Sequence, residues 1–518
     1  CLAIMSPNML LLDIGMAISF PTIAVPYLLH STTDLSMDDT QASWFGSLSY
    51  LTQPFGAIMS GPVVDYFGRK KASFIVNVPH LVAWLIMYFA PNLPAIFFAN
   101  GLLGLGTGLM EAPIFAYVGE CFLAIGILTM YFLGTVVYWR QAALISLAAP
   151  ITAMLLILLV PETPVWLLSQ GREKDALKSL CYLRGWTKAE NVQEEFDKLV
   201  VHSRNLTKCV LCCQNEELQG VDDTKECEHR RREKDALKSL CYLRGWTKAE
   251  NVQEEFDKLV VHSRNLTKCV LCCQNEELQG VDDTKECEHR KTLRPLSLIV
   301  MYFLFFVMSG LTPIRPNMVN ICDAFGMAGD GKNVVFMVGV ITFLAAIIVI
   351  FLIKLTGKRK LGITSMLGTG VSCAALSVYA KLYLPETVFS FDRASFPKET
   401  SYAPLVFFYA LALFTGSNVS WVLLAQGFGA AWNYLVTFIG AKTYVDLETS
   451  FQLWGTFAVY AAFGFLGTIY LYFFMPETEG VPLHDIESFY NGKFRTFADD
   501  PFIRFFKRFK RKEKTEQL

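Results

Sequence analysis

The sequence predicts an all-α membrane protein, with twelve transmembrane helices in two six-helix bundles and a cytosolic helical insert between them. Three observations predict it. Of 518 residues, 53% are hydrophobic, 14% aromatic and only 18% charged, far more apolar than a soluble chain of this length. Apolar runs of about 18 to 25 residues, the length of helix that crosses a hydrocarbon core of ~30 Å, recur at both ends of the chain. Between the sixth and seventh runs lies a long stretch dense in charge of both signs.

The first six spans are predicted at Pro7 to Leu29, Ala42 to Val64, Ala72 to Phe89, Leu93 to Val118, Cys121 to Tyr138 and Gln141 to Val160. The second six follow at Leu296 to Ile314, Val334 to Ile353, Leu361 to Ala380, Ala403 to Leu424, Ala425 to Gly440 and Leu453 to Met475. Residues 1–160 are thus expected to form the first bundle, 161–293 the insert, 294–475 the second bundle and 476–518 a basic cytosolic tail.

Short cytosolic loops retain lysine and arginine, which fixes an orientation. Arg69, Lys70 and Lys71 follow the second span, and Lys358, Arg359 and Lys360 the eighth. The acidic gap HSTTDLSMDDT after the first span and the polar loop PETVFSFDRASFPKETS after the ninth are expected on the outer side. Both termini are then cytosolic. The net charge of -1 averages these regions and identifies no partner. Beginning at Cys1, the chain reads as a truncated amino terminus rather than a cleaved leader. The tail RFFKRFKRKEK is suited either to anionic lipid or to solvent.

The insert holds a perfect repeat: residues 172–230 recur letter for letter as 232–290. Solenoid repeats diverge outside their packing positions, so identity this complete points to a recent duplication or an assembly error. Each copy is expected to form one or two short amphipathic helices, with Leu177, Leu180, Leu183 and Trp186 on one face. Cys209, Cys212, Cys213, Cys227 and His229 offer a single C-x2-C pair for zinc, but the second pair lacks ligand spacing. Reduced cytosolic thiols, no metal and no cofactor are expected. The chain also shows no nucleotide loop, nucleophile motif or basic nucleic-acid surface, so neither an enzyme nor a nucleic-acid partner is expected.

Charge is concentrated in GPVVDYFGRKKA, where Gly61, Asp65, Gly68, Arg69 and Lys70 form a G-x3-D-x2-G-R-K pattern at the end of the second span. PETPVW at Pro161 and PETEG at Pro476 close the sixth and twelfth spans, and GLGTGLMEAPIFAYVGE, NYLVTFIGAKTY and PETEGVPLHDIE stand in matching order. This set resembles the sugar porter family of the major facilitator superfamily, and within it the insect facilitated trehalose transporters, over nearly the whole chain apart from the duplicated copy. The resemblance implies a major facilitator fold in the plasma membrane. It also implies alternating access of a small sugar, trehalose or hexose-like, by a monomer in the lipid bilayer. Ionic groups at the cytosolic helix ends would latch the two bundles: Asp65, Arg69, Lys70, Glu120 and Glu162, with Arg359 and Glu477 in the second half. A purely orienting role for the bases is compatible with this reading.

By the same resemblance Trp421 and Asn433 keep family sugar-contact positions. The family's amides are replaced by Phe306 and Val307 before Ser309 and Gly310, by Thr312, by Thr342 and by Tyr131. Fewer amides leave less hydrogen-bonding capacity and point away from an ordinary hexose. Asp13 and Glu111 are intramembrane carboxylates, open to proton relay or to structural pairing. The family's proton-coupling position corresponds to Pro21, which favours uniport. The loops that follow Glu120 and Trp421 in the family are missing, so these joints are expected to unwind helix ends. A sensor that binds without flux, or a nonfunctional product of a misassembled gene, would carry the same pattern.

Overall fold

The structure, a computed structural model, describes residues 2–200 except 33–34, 111–116, 186, 189–190, 194 and 198, and residues 296–475 except 398 and 418–427. Among these, helices account for the regular structure; two isolated bridges, Leu29 with Met37 and Met327 with Ser401, are the β pairings. The first half comprises α1 (Leu2–Leu28), α2 (Asp39–Phe67), α3 (Arg69–Phe89), α4 (Leu93–Leu109), α5 (Tyr117–Val136), α6 (Trp139–Ser146) and α7 (Ala148–Leu159). The insert begins with α8 (Pro164–Ser169) and α9 (Glu173–Leu183). The second half contains α10 (Leu296–Met308), α11 (Leu311–Ala324, with a 3-10 turn at Arg315–Asn317), α12 (Gly331–Thr356), α13 (Lys358–Tyr383), α14 (Ala403–Gly416) and α15 (Phe428–Phe474).

Local chemistry sets several helix ends. Asp38 caps α2 in a capping box with Gln41, Asn92 caps α4 ahead of Pro94, and Asp330 caps α12. Each supplies a side-chain oxygen to a backbone N–H that the helix cannot satisfy itself. Gly68 (φ 80°, ψ 165°) joins α2 to α3, and Gly357 (φ 83°, ψ 157°) joins α12 to α13. This backbone region is almost closed to residues with a Cβ. Each glycine is followed by three bases, so the same junction occurs once in each half.

The helix pairing is also repeated. In the first half α1 packs on α5, α2 on α4, and α3 on α6 and α7; in the second, α11 packs on α15, α12 on α14, and α13 on α15. Small residues allow the closest of these approaches. A Cβ on Gly15 would lie 2.2 Å from the Leu123 carbonyl, and one on Gly464 2.7 Å from Gly370. Backbones this close gain dispersion and weak polar contacts where lipid supplies no hydrophobic drive.

The structure revises several predicted spans. The seventh does not end at Ile314: α10 and α11 bend by 52° at a break containing Gly310 (φ 153°), and the helix continues ten residues further to Ala324. Arg315 therefore lies inside the span rather than at its edge. The fourth ends at Leu109, not Val118, and the tenth at Gly416, not Leu424; the joints that follow, 111–116 and 418–427, lie outside the described residues. The eleventh runs well past Gly440, because α15 stays helical until Gln452 (φ 61°, ψ 176°) turns the chain between two helices.

In the insert, Leu167 and Leu168 of α8 pack with Ala176, Leu180, Val192 and Phe196. Leu180 of the expected face is buried and Leu177 half-buried, but Leu183 is 40% exposed. The working stripes are Ala176 with Leu180 and Val192 with Phe196, each one helical turn apart. Trp186 and the second copy lie outside the described residues.

Candidate solute pathway between the two halves

The basic junctions at Gly68 and Gly357 define one end of the helix array. At the opposite end the two halves are joined. The Lys332 ammonium donates to the Tyr27 hydroxyl at 2.8 Å and sits 4.3 Å over its ring. The Lys442 ammonium donates to Ser43 at 3.2 Å and lies 4.8 Å over Trp44, while the Ser43 hydroxyl donates to the Lys442 carbonyl at 3.2 Å. Arg393 donates to the Pro26 carbonyl. Three cations of the second half thus meet neutral acceptors and ring faces of the first, contacts that form and break without stranding a buried carboxylate.

Both acid-rich loops lie at this end, where Leu29, His30 and Asp39 share a pocket of about 470 Å³ with Phe391, Asp392 and Arg393. Glu448, 2% exposed, anchors the second loop. Its carboxylate accepts from the Ser390 N–H at 2.8 Å and from the Ser390 hydroxyl, which also contacts the Tyr444 hydroxyl at 2.8 Å. Glu448 lies beyond Gly440 and was not foreseen, because the eleventh span is predicted to end before it.

Beneath the closure, Gly46, Tyr50, Gln53 and Ala57 mark one stripe of α2 at helical spacing. A Cβ on Gly46 would lie 2.6 Å from Pro316, so the glycine lets α2 press directly on the turn of α11. Tyr50, 4% exposed, has Arg315 beside it. Ala57 packs with Ala430 and Tyr434 of α15. From α1, the Thr22 hydroxyl donates to the Arg315 carbonyl at 2.8 Å.

Among the predicted solute contacts, Tyr131 lies at this meeting of α1, α5, α11 and α12. It is 3% exposed, neighbours Ser19, Thr22 and Arg315, and has Gly339 of α12 against its ring. Thr312 and Asn433 are half-buried on α11 and α15. The Thr342 hydroxyl donates to its own helix at Val338, 2.8 Å away, and the residue packs on Gly416. Ser309, 1% exposed, donates to the Phe306 carbonyl and packs against Met366 and Cys373 inside the second half. Trp421 lies outside the described residues. The structure therefore brings Tyr131 to Arg315, which was not foreseen, and directs Ser309 into its own half.

At the basic end the expected latch takes another form. Glu162 accepts from the Lys70 backbone N–H at 3.0 and 3.2 Å, while the Lys70 ammonium donates to the Leu158 carbonyl at 3.1 Å. The carboxylate thus binds the positive end of α3 and, among the described residues, no side-chain cation. A Cβ on Gly68 would stand 2.8 Å from this carboxylate and 2.9 Å from the Trp166 ring, so the motif's glycine provides the space. Arg69 is exposed, and Arg359 donates to the Tyr472 carbonyl at 2.8 Å in its own half. The side chains of Asp65 and Glu120, and all of Glu477, lie outside the described residues.

Asp13 is paired in the interior of the first half. Its Oδ2 lies 2.6 Å from His80 Nδ1 of α3, and Trp84 donates to its Oδ1 at 3.0 Å. Thr107 of α4 stands 3.4 Å from the other ring nitrogen. Asp13, His80 and Trp84 are all 0% exposed. Glu111 lies outside the described residues.

These features define a multi-pass, all-helical membrane protein built from two like halves that close on one another at one end. Residues 3–122, 121–213 and 227–490 match the family described as Sugar (and other) transporter, and the chain belongs to it. It is 25% identical over 497 residues to the facilitated trehalose transporter Tret1 of Drosophila erecta, covering 90% of this chain and 49% of that one. To Tret1 of Polypedilum vanderplanki it is 24% identical over 527 residues, covering 96% and 89%. The chain spans about half the length of the fruit-fly relatives it matches.

In fold it is similar to the xylose transporter XylE from E. coli in a partially occluded inward open conformation, with TM-score 0.59 at 13% identity over 91% of this chain and 98% of that one. XylE bound to 6-bromo-6-deoxy-D-glucose, described as a major facilitator superfamily proton:xylose symporter, gives 0.57 at 14% identity over 94% and 98%. The fold is that of the major facilitator superfamily.

Proposed function

We propose that this chain is a carrier, not an enzyme, that moves a small sugar-sized solute, trehalose or hexose-like in dimensions, across the plasma membrane by alternating access. The observation that carries the reading is the closure itself. Lys332, Lys442 and Arg393 cross from one half to the other at one end, while Lys70, Glu162 and Arg359 bond within their own halves at the other. With the bases of both junctions on the cytosolic side, the closed end is the outer one and the structure is the inward-facing form. Rocking the halves would break the outer contacts and bring the basic ends together.

The reading assigns twelve crossings, and the helices support it. Among the described residues six helices are long and apolar enough to span, and the bent pair α10 and α11 adds a seventh. Leu93–Leu109, Phe122–Val136 and Ala403–Gly416 are shorter apolar helices. The long α2 and the division of α15 at Gln452 complete the set. Both termini and the insert are then on the cytosolic side. Pairing of Asp13 with His80 and Trp84 supports a structural role for that acid and uniport for the carrier.

A reversible lock tests the reading. The Ser43 hydroxyl and Lys442 carbonyl are 3.2 Å apart, so cysteines at these two positions, in a background without the native thiols, lie close enough to be joined by a disulfide or by a short thiol-cleavable cross-linker. Oxidation should stop solute exchange in proteoliposomes, and reductant should restore it. Full exchange with the cross-link complete would refute alternating access through this end.

A further inference from the structure

We propose that the polar centre of the interface binds a carboxylate, and that the solute is a singly charged, sugar-sized hydroxy acid of the hexuronate class rather than a neutral sugar. Arg315 is a permanent cation inside a membrane-spanning helix, a position where charge is costly and marks a ligand or ion pathway. It belongs to the second half, yet its guanidinium lies beside Tyr50 and within electrostatic reach of Tyr131, both in the first. The side chain therefore reaches across the interface. It is half-buried, and among the described residues no carboxylate lies within salt-bridge distance of it.

A second observation is independent of that charge. Gln53 and Asn317 are 1% and 2% exposed, and their Oε1 and Oδ1 atoms have no hydrogen-bond partner among the described residues, while the buried Tyr50 hydroxyl has the Arg315 guanidinium beside it. Gln53 follows Tyr50 by one turn on the stripe of α2 that faces the second half, and Asn317 lies on the same turn as Arg315. Buried polar atoms are ordinarily satisfied, and two of them close in the fold to a cation without a carboxylate partner have the composition of a ligand site. The planar guanidinium fork matches a carboxylate in a bidentate pair. Phenol and amide groups beside it suit the hydroxyls of a sugar acid. One guanidinium balances one negative charge, which favours a carboxylate over a phosphate dianion. The Thr22 hydroxyl, donated to the Arg315 carbonyl, fixes the turn that carries the cation.

The proposal rests on the carrier reading for the location of the ligand, but it is tested by binding alone. Thermal stabilisation of the purified full chain would be titrated with glucuronate, glucose and glucose 6-phosphate. Wild type should respond to glucuronate at roughly tenfold lower concentration, or better, than to glucose, as for a charge-assisted contact. Arg315→Gln should abolish that preference, and Arg315→Lys, which keeps the charge without the fork, should retain part of it. Melting of both variants without ligand reports their folding. Equal responses to glucose and glucuronate in wild type, stronger binding of the phosphate, or a preference that persists in Arg315→Gln would each overturn the proposal. Glucuronate binding without movement of any solute across vesicles would leave the site standing and remove the carrier.

Discussion

Gly46→Trp is expected to reduce solute exchange to background while leaving the protein folded and in the membrane. A single added carbon at Gly46 already falls 2.6 Å from Pro316, far inside van der Waals contact, and an indole cannot be housed between α2 and the turn of α11. The halves would be wedged apart where Tyr27, Ser43 and Trp44 otherwise meet Lys332 and Lys442. A wedged outer end fixes the outward-facing form, in which the cycle cannot return. Cysteine-directed labelling at Ser43→Cys, buried in the closed form at 3% exposure, checks the trapped state. The site should label rapidly in the tryptophan variant and slowly in the glycine parent. Exchange at the wild-type rate would show that α2 and α11 need not touch during transport.

Asp13→Ala should cost stability rather than specificity. Removing the carboxylate strands His80 Nδ1 and the Trp84 N–H in a region that water does not reach, since all three side chains are 0% exposed. Each stranded buried polar group costs about 1 to 3 kcal/mol, so the variant should lose about 2 to 6 kcal/mol and accumulate poorly. Asp13→Asn keeps an acceptor for Trp84 and should recover part of the loss. Unfolding of detergent-solubilised protein measures both. If Asp13→Ala melts like wild type but loses exchange, the cluster works in transport and the structural assignment fails.

What could be read from the sequence, and what could not, separates along physical lines. Apolar length reveals a helix that must sit in lipid, so most of the spans were visible, and the base triplets after the second and eighth spans marked the two junctions that Gly68 and Gly357 turn out to make. Length does not reveal bends: α10 and α11 form one apolar run, and only the φ of 153° at Gly310 shows the break. Arg315 was hidden for a related reason. A charge at the edge of an apolar stretch reads as the end of a span, and nothing local shows that the helix continues or that the guanidinium crosses to the other half.

Partners remote in sequence were invisible too. Asp13 was recognisable as a costly buried acid, but its pairing with His80 depends on how α1 meets α3. Glu162 was singled out for a latch, and sequence implied a side-chain ion pair where the structure gives a helix-end contact. Ser309, Thr312 and Thr342 were chosen by position in a resembling family, and position does not tell which way a side chain turns.

The most direct test of the account is solute counterflow. Proteoliposomes containing the purified chain would be loaded with an unlabelled solute and diluted into a trace of the same compound carrying label, using trehalose, glucose and glucuronate in turn. A carrier that rocks between two faces should concentrate label transiently for at least one of these solutes, and the overshoot should disappear in Gly46→Trp. Binding of a solute to the purified protein without counterflow would contradict the central claim and leave a receptor with a carrier's fold.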